Sequence, residues 1–396
     1  MEFARIQNIL CEEGIDLWLL YDFRGCNSIA WQAAELAPET HCTRRWAIGI
    51  PAHGEPFKIV HAIEHFTLGN VSARQILYSN RDEWESIMRE IVTSYPTVAM
   101  EYSTCNAIPT ISKVDAGTIE FIRKCGGNIV SSADLVQKVY AVWSDSQLAE
   151  NLEYTAPKLR EAMFSAFDFI REKILNCISV TEYDVQQHIL AVFDKSGLVT
   201  DSPPIVAVAR NAASPHYAPS AEHFAVIPSD ELVLIDMWAK SPKADSVFSD
   251  ITWMCYTGAK VPQRYADIFS AVTGGRDAAL DLVRRRFADG EVVAGYEVDL
   301  AARNYIGNRG YGKYFIHRTG HSITTETHGA GANMDNYETY DERRIISATS
   351  FSIEPGIYIT NDVGMRSEIS VIIMPDGDVI TPSSPIQTEI EPLLRP

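Results

Sequence analysis

The chain has 396 residues, a length typical of two domains, and 46% of them are hydrophobic, which supplies ample material for buried cores. The formal net charge of −18 disfavours contact with phosphate backbones, so no nucleic-acid partner is expected. No apolar run approaches the ~18 uncharged residues of a membrane span, so no membrane partner is expected.

The first part of the chain alternates helical and strand patterns. Residues 2–13 predict an amphipathic helix that ends at Gly14, without the basic start and apolar centre of a signal peptide. The seven cysteines are scattered and form no C-x-x-C pair, which is typical of free thiols in a reducing compartment, so a cytoplasmic location is expected. A helix is predicted over 111–127. Short apolar runs predict strands over 17–21, 45–50, 56–62, 97–102 and 128–136.

At Ser144 the sequence changes from alternating helical and strand patterns to long helical patterns, so we place the domain boundary between residues 1–143 and residues 144–396. Ser144 and Gln147 have the spacing of a capping box and predict a long helix over 145–173. Thr181 and Asp184 predict a second one that Gly197 ends. Two further helices are predicted over 263–287, despite its two central glycines, and over 298–310.

The strands of the second part carry five potential metal ligands. Four carboxylates and one imidazole suit a pair of divalent cations better than a single structural zinc. Two adjacent metals would imply hydrolysis by a metal-activated water. The five residues are Asp236, Asp250, His321, Glu354 and Glu368.

Asp236 ends the apolar run LVLID, and Asp250 lies in the next predicted strand, VFSDITW. A hairpin of this kind can place the two carboxylates side by side. Close carboxylates raise each other's pKa unless a cation is bound, so the pair favours a metal. The alternative is two solvated aspartates at the edges of a loop.

Glu354 lies in FSIEPGIYI, and the segment MRSEISVIIM predicts a strand with Glu368 inside it. Alternation along that strand puts Arg366, Glu368 and Ser370 on one face. A half-buried glutamate needs a cation or a hydrogen-bond partner. A structural pair of Arg366 and Glu368 is therefore the alternative to a metal.

Four of the ten histidines fall in separate motifs in the same part of the chain as these acids. Neutral imidazole can bind a metal, and a second histidine can donate a hydrogen bond to a developing oxyanion. A single histidine is more often a structural residue, but four histidines beside two pairs of acids favour a functional site. They are His216, His317, His321 and His328.

Residues 150–392 resemble the catalytic domain of the metallopeptidase family that contains methionine aminopeptidase, aminopeptidase P, prolidase and creatinase. The order Asp, Asp, His, Glu, Glu matches in full. Four local motifs match as well: the loop with His216, the pair Gly320-His321, the turn Glu354-Pro355-Gly356 and the Arg366-x-Glu368 motif. Residues 1–143 resemble the N-terminal domain of the prolidase, aminopeptidase P and creatinase branch.

The resemblance implies an α/β chain with an N-terminal creatinase-type domain and a C-terminal pita-bread domain, a pseudo-symmetric α+β fold with a dinuclear metal centre. It also implies a homodimer. Asp250 and Glu368 would bridge two metal ions. Asp236 would bind one ion, and His321 with Glu354 would complete the other site. Mn²⁺ is the expected metal, with Co²⁺ or Zn²⁺ as alternatives.

The resemblance also implies roles around the metals. His216 and His328 would steady the scissile carbonyl, and Glu354 would carry a proton to the leaving amine. His317 would shape a proline pocket. Arg366 would face the substrate side of the site and hold a ligand carboxylate in place.

The implied activity is hydrolysis of the Xaa-Pro bond in short peptides. Dipeptides are the expected substrates, with longer Xaa-Pro peptides, as for aminopeptidase P, as the alternative. Two other hypotheses stay open: hydrolysis of a small non-peptide C–N compound, and a non-catalytic binding protein. The sequence departs from the family pattern at three positions: Trp253 stands where many members have arginine, Thr324 replaces the usual glycine of G-H-x-I-G, and Gly329 stands where an acid is common. We expect these residues to alter the pocket wall and thereby the choice of substrate.

Overall fold

The computed structural model describes residues 2–394, which form two compact units divided between Val139 and Tyr140. The boundary predicted after residue 143 lies four positions further along the chain. Trp143 explains the earlier division, because its side chain is buried in an apolar cluster with residues of the second unit, among them Leu148 and Phe248. Among residues 2–394, no helix has both the length and the apolar character needed to cross a bilayer.

The first unit is an α/β layer structure around a six-stranded sheet with the order β4-β3-β2-β1-β5-β6, in which only β2 runs antiparallel to its neighbours. Its strands are β1 (Leu17–Phe23), β2 (Arg45–Pro51), β3 (Phe57–His61), β4 (Arg74–Tyr78), β5 (Thr97–Met100) and β6 (Asn128–Ser131). Its helices are α1 (Phe3–Glu13), α2 (Ser28–Ala33), α3 (Arg81–Ser94), α4 (Ala116–Lys124) and α5 (Ala133–Tyr140).

Most elements predicted for the first unit are confirmed, including α1, which ends at Gly14 in a left-handed conformation (φ 64°). The strand predicted over 128–136 is wrong in its second half. The Ser131 hydroxyl accepts a hydrogen bond from the Ala133 N–H, and α5 begins there. Helix α3 was not predicted, although Asn80 and Glu83 have capping-box spacing and the Asn80 side chain caps the helix.

The second unit contains three sheets, with the orders β16-β9-β8-β7, β10-β11-β14-β15 and β12-β13. Its helices are α6 (Asp145–Glu150), α7 (Ala156–Leu175), α8 (Glu182–Ser196), α9 (Gln263–Ala288) and α10 (Gly295–Asn308). Its strands are β7 (Ile205–Val208), β8 (Leu232–Ala239), β9 (Ser249–Tyr256), β10 (Ser322–Ile323), β11 (Thr349–Ile353), β12 (Gly356–Ile359), β13 (Val363–Arg366), β14 (Ile369–Ile373), β15 (Val379–Ile380) and β16 (Glu391–Pro392).

Two helix pairs pack against these strands. Helices α7 and α8 pack on one face of β7, β8 and β9, and α9 and α10 pack on the opposite side, against β11, β13 and β14.

Both predicted capping boxes are present, at Ser144 before α6 and at Thr181 before α8. A single π-helical turn over Asn151–Thr155 joins α6 to α7, so the predicted long helix is confirmed with one irregularity.

The paired glycines in α9 do not interrupt the helix. A β-carbon on Gly274 would lie 2.3 Å from the ring of Tyr305 in α10, and one on Gly275 would lie 2.8 Å from Ile306. The glycines therefore allow α9 and α10 to approach closely, which explains why a helix continues through two residues of poor helix propensity.

Candidate metal centre

Strands β8 and β9 place Asp236 and Asp250 on one face of their sheet. The antiparallel register pairs Asp236 with Thr252 and Trp238 with Asp250, so the two aspartates are diagonal neighbours. The prediction that the first strand ends at Asp236 is wrong, since β8 continues to Ala239. The carboxylate therefore projects from within a paired strand, which fixes its direction more firmly than a loop would.

Glu354 and Glu368 lie opposite each other at a break in a long hairpin. Ile353 pairs with Ile369 in one sheet, and Gly356 pairs with Arg366 in another, which leaves two residues unpaired on each arm. The prediction of Glu368 inside a strand is therefore wrong. Its N–H donates to the Thr252 carbonyl at 3.1 Å, because the chain passes here from one sheet to the next.

His321 is held between these acids. Its Nε2 lies 3.4 Å from Glu354 Oε1 and 3.8 Å from Asp250 Oδ2. Its Nδ1 lies 3.2 Å from the Ser322 carbonyl, so Nδ1 carries the proton and Nε2 presents a lone pair to the acids. Burial lowers the pKa of His321 well below its usual value, which keeps the ring neutral.

The acids are too crowded to be charged together without a cation. Burial, and then the charge of neighbouring carboxylates, raises the pKa of Asp250 and of Glu368 well above the usual range. Burial also raises the pKa of Asp236, against the opposing effect of Arg366. Within the described residues, Asp250 Oδ1 and Glu368 Oε1 are buried and have no hydrogen-bond partner.

This donor set fits a divalent cation. One ligand atom each from Asp250, His321 and Glu368 lies within 4.8 Å of the other two. Buried carboxylate oxygens without partners are costly unless they are neutralised, and a bound cation neutralises them. The set of carboxylates with one imidazole is typical of Mn²⁺, Co²⁺ or Zn²⁺ rather than of a soft, thiolate-bound metal.

Arg366 is bound by protein groups. Its guanidinium forms a close ion pair with Asp236, donates to Thr252 Oγ1 at 3.0 Å and lies 3.3 Å from the Tyr358 hydroxyl. Thr252 in turn donates to Glu368 Oε2 at 2.8 Å. Of the two expectations for Arg366, the geometry supports the positioning of a carboxylate, and contact with substrate stays a prediction.

His317 is anchored by Tyr358. Its Nδ1 lies 2.6 Å from the Arg318 carbonyl and its Nε2 lies 2.9 Å from the Tyr358 hydroxyl. Burial lowers the pKa of His317 to about 4 and raises that of Tyr358 to about 12, so both groups are neutral. Tyr358 therefore donates to His317 Nε2 and can accept from Arg366, which links the histidine to the acid cluster.

All nine residues singled out in the sequence line one cavity of about 430 Å³. The ring of His328 lies 4.4 Å from that of His321, and His216 reaches the cavity from a loop after β7. The nine residues are His216, Asp236, Asp250, His317, His321, His328, Glu354, Arg366 and Glu368.

Sequence reasoning missed several residues that shape this cavity. Asp201 accepts hydrogen bonds from the indole of Trp238 (2.6 Å) and the hydroxyl of Thr327 (3.0 Å), and the latter two line the wall. Tyr358 and Thr252 organise the polar network. The alternation in D-I-T, which puts Thr252 on the face of Asp250, was the one signal that could have revealed Thr252.

The three departures from the family pattern lie outside the lining of this cavity. Trp253 is on the opposite face of β9 and packs edge-on against Phe164, with ring centroids 5.2 Å apart. Thr324 and Gly329 contact each other behind the wall, where a β-carbon at position 329 would meet the Thr324 methyl at 2.5 Å. The expectation that they alter the wall directly is therefore wrong.

The whole chain aligns with solved structures that have the same fold. The prolidase from Pyrococcus horikoshii OT3 aligns with a TM-score of 0.59 at 20% identity, over 98% of this chain and 99% of that one. A dipeptidase from Mycobacterium ulcerans aligns with a TM-score of 0.67 at 19% identity, over 99% and 96%. These alignments confirm the predicted fold class, an N-terminal α/β domain followed by a pita-bread domain.

Curated relatives match parts of the sequence. The Xaa-Pro dipeptidase of Lactobacillus delbrueckii subsp. lactis is 27% identical over 260 residues, 61% of this chain and 65% of that protein. An uncharacterized peptidase of Schizosaccharomyces pombe is 31% identical over 195 residues, 49% and 40% of the two chains. The matches thus span about 40–65% of these relatives. The model of metallopeptidase family M24 matches residues 150–375, more than half of the chain, and the protein belongs to this family.

Proposed function

We propose that the second unit hydrolyses the Xaa-Pro peptide bond, with dipeptides as its preferred substrates. The observation that carries the proposal is the pair of buried, partnerless oxygens, Asp250 Oδ1 and Glu368 Oε1, in a cluster of acids and histidines at a cavity wall. Membership of a metallopeptidase family and similarity to proteins named Xaa-Pro dipeptidase support the choice of reaction.

Two divalent cations, Mn²⁺ in the first place, would be held by five side chains. Asp250 and Glu368 would bind both ions, Asp236 would bind one, and His321 with Glu354 would bind the other. When bound, such ions supply an activated water and polarise a carbonyl. The Arg366 guanidinium positions Asp236, and the Ser352 hydroxyl, which donates to Glu354 Oε1 at 3.2 Å, positions Glu354.

The remaining residues bind and orient the substrate. The side chain of Glu354 is 15% exposed, against 5% for Asp250 and 9% for Asp236, and this access suits a group that transfers a proton to the leaving nitrogen. His216 and His328 would donate to the scissile carbonyl as it gains negative charge. Burial keeps the His317 ring neutral and the Tyr358 hydroxyl orients it, and the ring would pack against the proline ring.

The size of the cavity favours a short substrate. Its volume of about 430 Å³ is at the low end of the range for small-molecule sites, which is roughly 300–1,000 Å³. A dipeptide fits such a volume better than a long peptide does. Action on longer Xaa-Pro peptides or on a small C–N compound would give a different profile in the experiment that follows.

The test is a panel of Xaa-Pro dipeptides and longer Xaa-Pro peptides, each assayed with Mn²⁺, Co²⁺ and Zn²⁺. We expect release of proline from dipeptides, its loss in Asp250→Ala, and its retention in Asp281→Ala, which removes an exposed acid in α9. No cleavage with any of these metals contradicts the proposal. About two ions per chain without peptide cleavage would favour a small C–N substrate, and a folded protein that takes up no metal would favour a binding role. The homodimer, also proposed, is tested by light scattering on the same sample.

A further inference from the structure

The first unit contains a second cavity, of about 820 Å³, which falls within the volume range of small-molecule sites. It opens on the face of the sheet that carries α3 and α4. Four of the parallel strands, β1, β3, β4 and β5, contribute residues at their carboxyl ends: Phe23, His61, Tyr78 and Met100. Ligands of open α/β sheets bind in the crevice at this end of the strands.

Aromatic side chains form one side of this cavity. Trp84 in α3 is in contact with Tyr78, with ring centroids 4.9 Å apart, and with Tyr21, at 5.9 Å. Phe121 in α4 also lines the cavity. Burial raises the pKa of Tyr21 above its usual value and that of Tyr78 to about 12, so these rings carry no negative charge at neutral pH. The surface suits a planar, apolar group.

Two arginines without acidic partners line the cavity beside these rings. Arg45 lies with its guanidinium 5.1 Å from the centre of the Trp84 ring, and Arg24 lies 5.6 Å from the Phe23 ring. Within residues 2–394 neither of the two forms an ion pair. A guanidinium stacked on a ring keeps its in-plane N–H groups available for a carboxylate or a phosphate.

The acids that line the cavity are already engaged. Asp115 caps α4 by accepting from the N–H and the hydroxyl of Thr118, at 2.9 and 2.7 Å. Glu85 pairs with Arg89 at 3.0 Å and with Arg81 at 3.6 Å. In a chain with 52 acidic and 34 basic residues, two arginines left without an acid beside one cavity mark a place where an anion binds favourably.

From this arrangement we infer that the first unit binds a small organic anion with a planar ring. The acid group binds between Arg24 and Arg45, and the ring packs among Trp84, Tyr21 and Phe121. A carboxylate and a phosphate present the same charge and the same paired oxygens to a guanidinium. Every residue that lines this cavity belongs to the first unit, and no residue of the candidate metal centre lines it.

The test is calorimetric titration of the full chain with indole-3-propionate and with AMP, beside the neutral compounds indole-3-propionamide and adenosine. We expect one of the two anions to bind at least about tenfold more tightly than its neutral counterpart, and the one that binds shows which combination of ring and acid group the cavity accepts. No binding of either anion up to about 1 mM, or equal binding of the neutral compounds, overturns the inference.

Two variants locate the binding. Arg45→Gln and Arg24→Gln should each weaken the bound anion about tenfold. Arg74→Gln, a matched control at the amino end of β4, should leave its affinity unchanged. If Arg45→Gln disturbs the fold through Trp84, Arg24→Gln carries the test, because its side chain is exposed. Unchanged affinity in Arg24→Gln, or an equal loss in Arg74→Gln, contradicts the inference.

Discussion

The methyl group of Thr324 occupies the space beside the α-carbon of Gly329, where a β-carbon would lie only 2.5 Å away. The family resemblance leads one to expect glycine at position 324 and an acid at position 329. The chain has a side chain at 324 and none at 329. The two departures therefore compensate each other in volume, and the residue at one position depends on the residue at the other.

A double-mutant cycle tests this compensation. Gly329→Glu alone should destabilise the protein by about 1–3 kcal/mol, because the new side chain collides with Thr324. Adding Thr324→Gly should recover a large part of that loss, although Thr324→Gly alone is expected to cost stability. Thermal unfolding of the four proteins gives the coupling energy. Additive effects of the two changes would contradict the compensation.

Features that depend on residues close together in the chain, such as helix starts, could be predicted from the sequence. Ser144 with Gln147 and Thr181 with Asp184 mark helix starts, because a capping box is formed by residues three apart in the chain. The candidate ligands could be singled out in the same way, because acids such as Asp236 and Glu354 interrupt apolar runs, and their role as metal ligands stays a prediction. These features need no knowledge of which strands are paired.

The errors concern strand pairing between distant segments. Glu368 lies at a break because β13 pairs with β12 in one sheet and β14 pairs with β11 in another. The alternation of side chains along the segment does not show that its two halves belong to different sheets. The large cavity of the first unit was missed for the same reason. Its residues come from strands that the sheet, rather than the chain, brings together.

Asp250→Asn should stabilise the metal-free protein while removing metal binding. Because the pKa of Asp250 is raised in the folded state, its ionisation costs stability, and this loss grows as the pH rises from the unfolded-state value through the folded one. The variant lacks that loss. We expect a rise in the melting temperature of about 2–4 °C at pH 8 after chelation, and a smaller rise at pH 5.

The control for that measurement is Asp281→Asn, which removes an exposed acid and should leave the melting temperature nearly unchanged at both pH values. With Mn²⁺ present the parent protein should have a higher melting temperature than Asp250→Asn, since only the protein with Asp250 gains stability from the bound ion. A metal-free Asp250→Asn protein that melts below the parent would contradict the account of crowded acids.

Tyr358→Phe should weaken the site through His317. The substitution leaves His317 Nε2 and one Arg366 N–H group without a partner in a buried place, which costs about 1–3 kcal/mol. The missing donor also removes the hydrogen bond that orients the His317 ring. We expect a higher KM for Xaa-Pro dipeptides with a smaller change in kcat, measured beside Tyr183→Phe as a control on α8.

The lowered pKa of His317 gives the stability of the protein a pH dependence of defined direction. Since the pKa of His317 is lowered to about 4, the folded state prefers the neutral ring, and its contribution to stability is lost as the pH falls from about 6.5 towards 4. His317→Gln should therefore reduce the loss of stability over this range. If His317→Gln and the parent protein lose the same stability between about pH 6.5 and 4, the ring is not held neutral by its surroundings.

Two glycines in the packed pair of helices α9 and α10 should respond oppositely to alanine. Gly274→Ala should destabilise the protein by about 1–3 kcal/mol, because its β-carbon would lie 2.3 Å from the Tyr305 ring and would force the helices apart. Gly307, in α10, has open space around it, so Gly307→Ala should stabilise the protein by about 0.5–1 kcal/mol through helix propensity. Denaturant unfolding measures both. Equal effects would mean that the glycines of α9 do not set the helix separation, and Tyr305→Ala, which removes the ring, should relieve the cost at position 274.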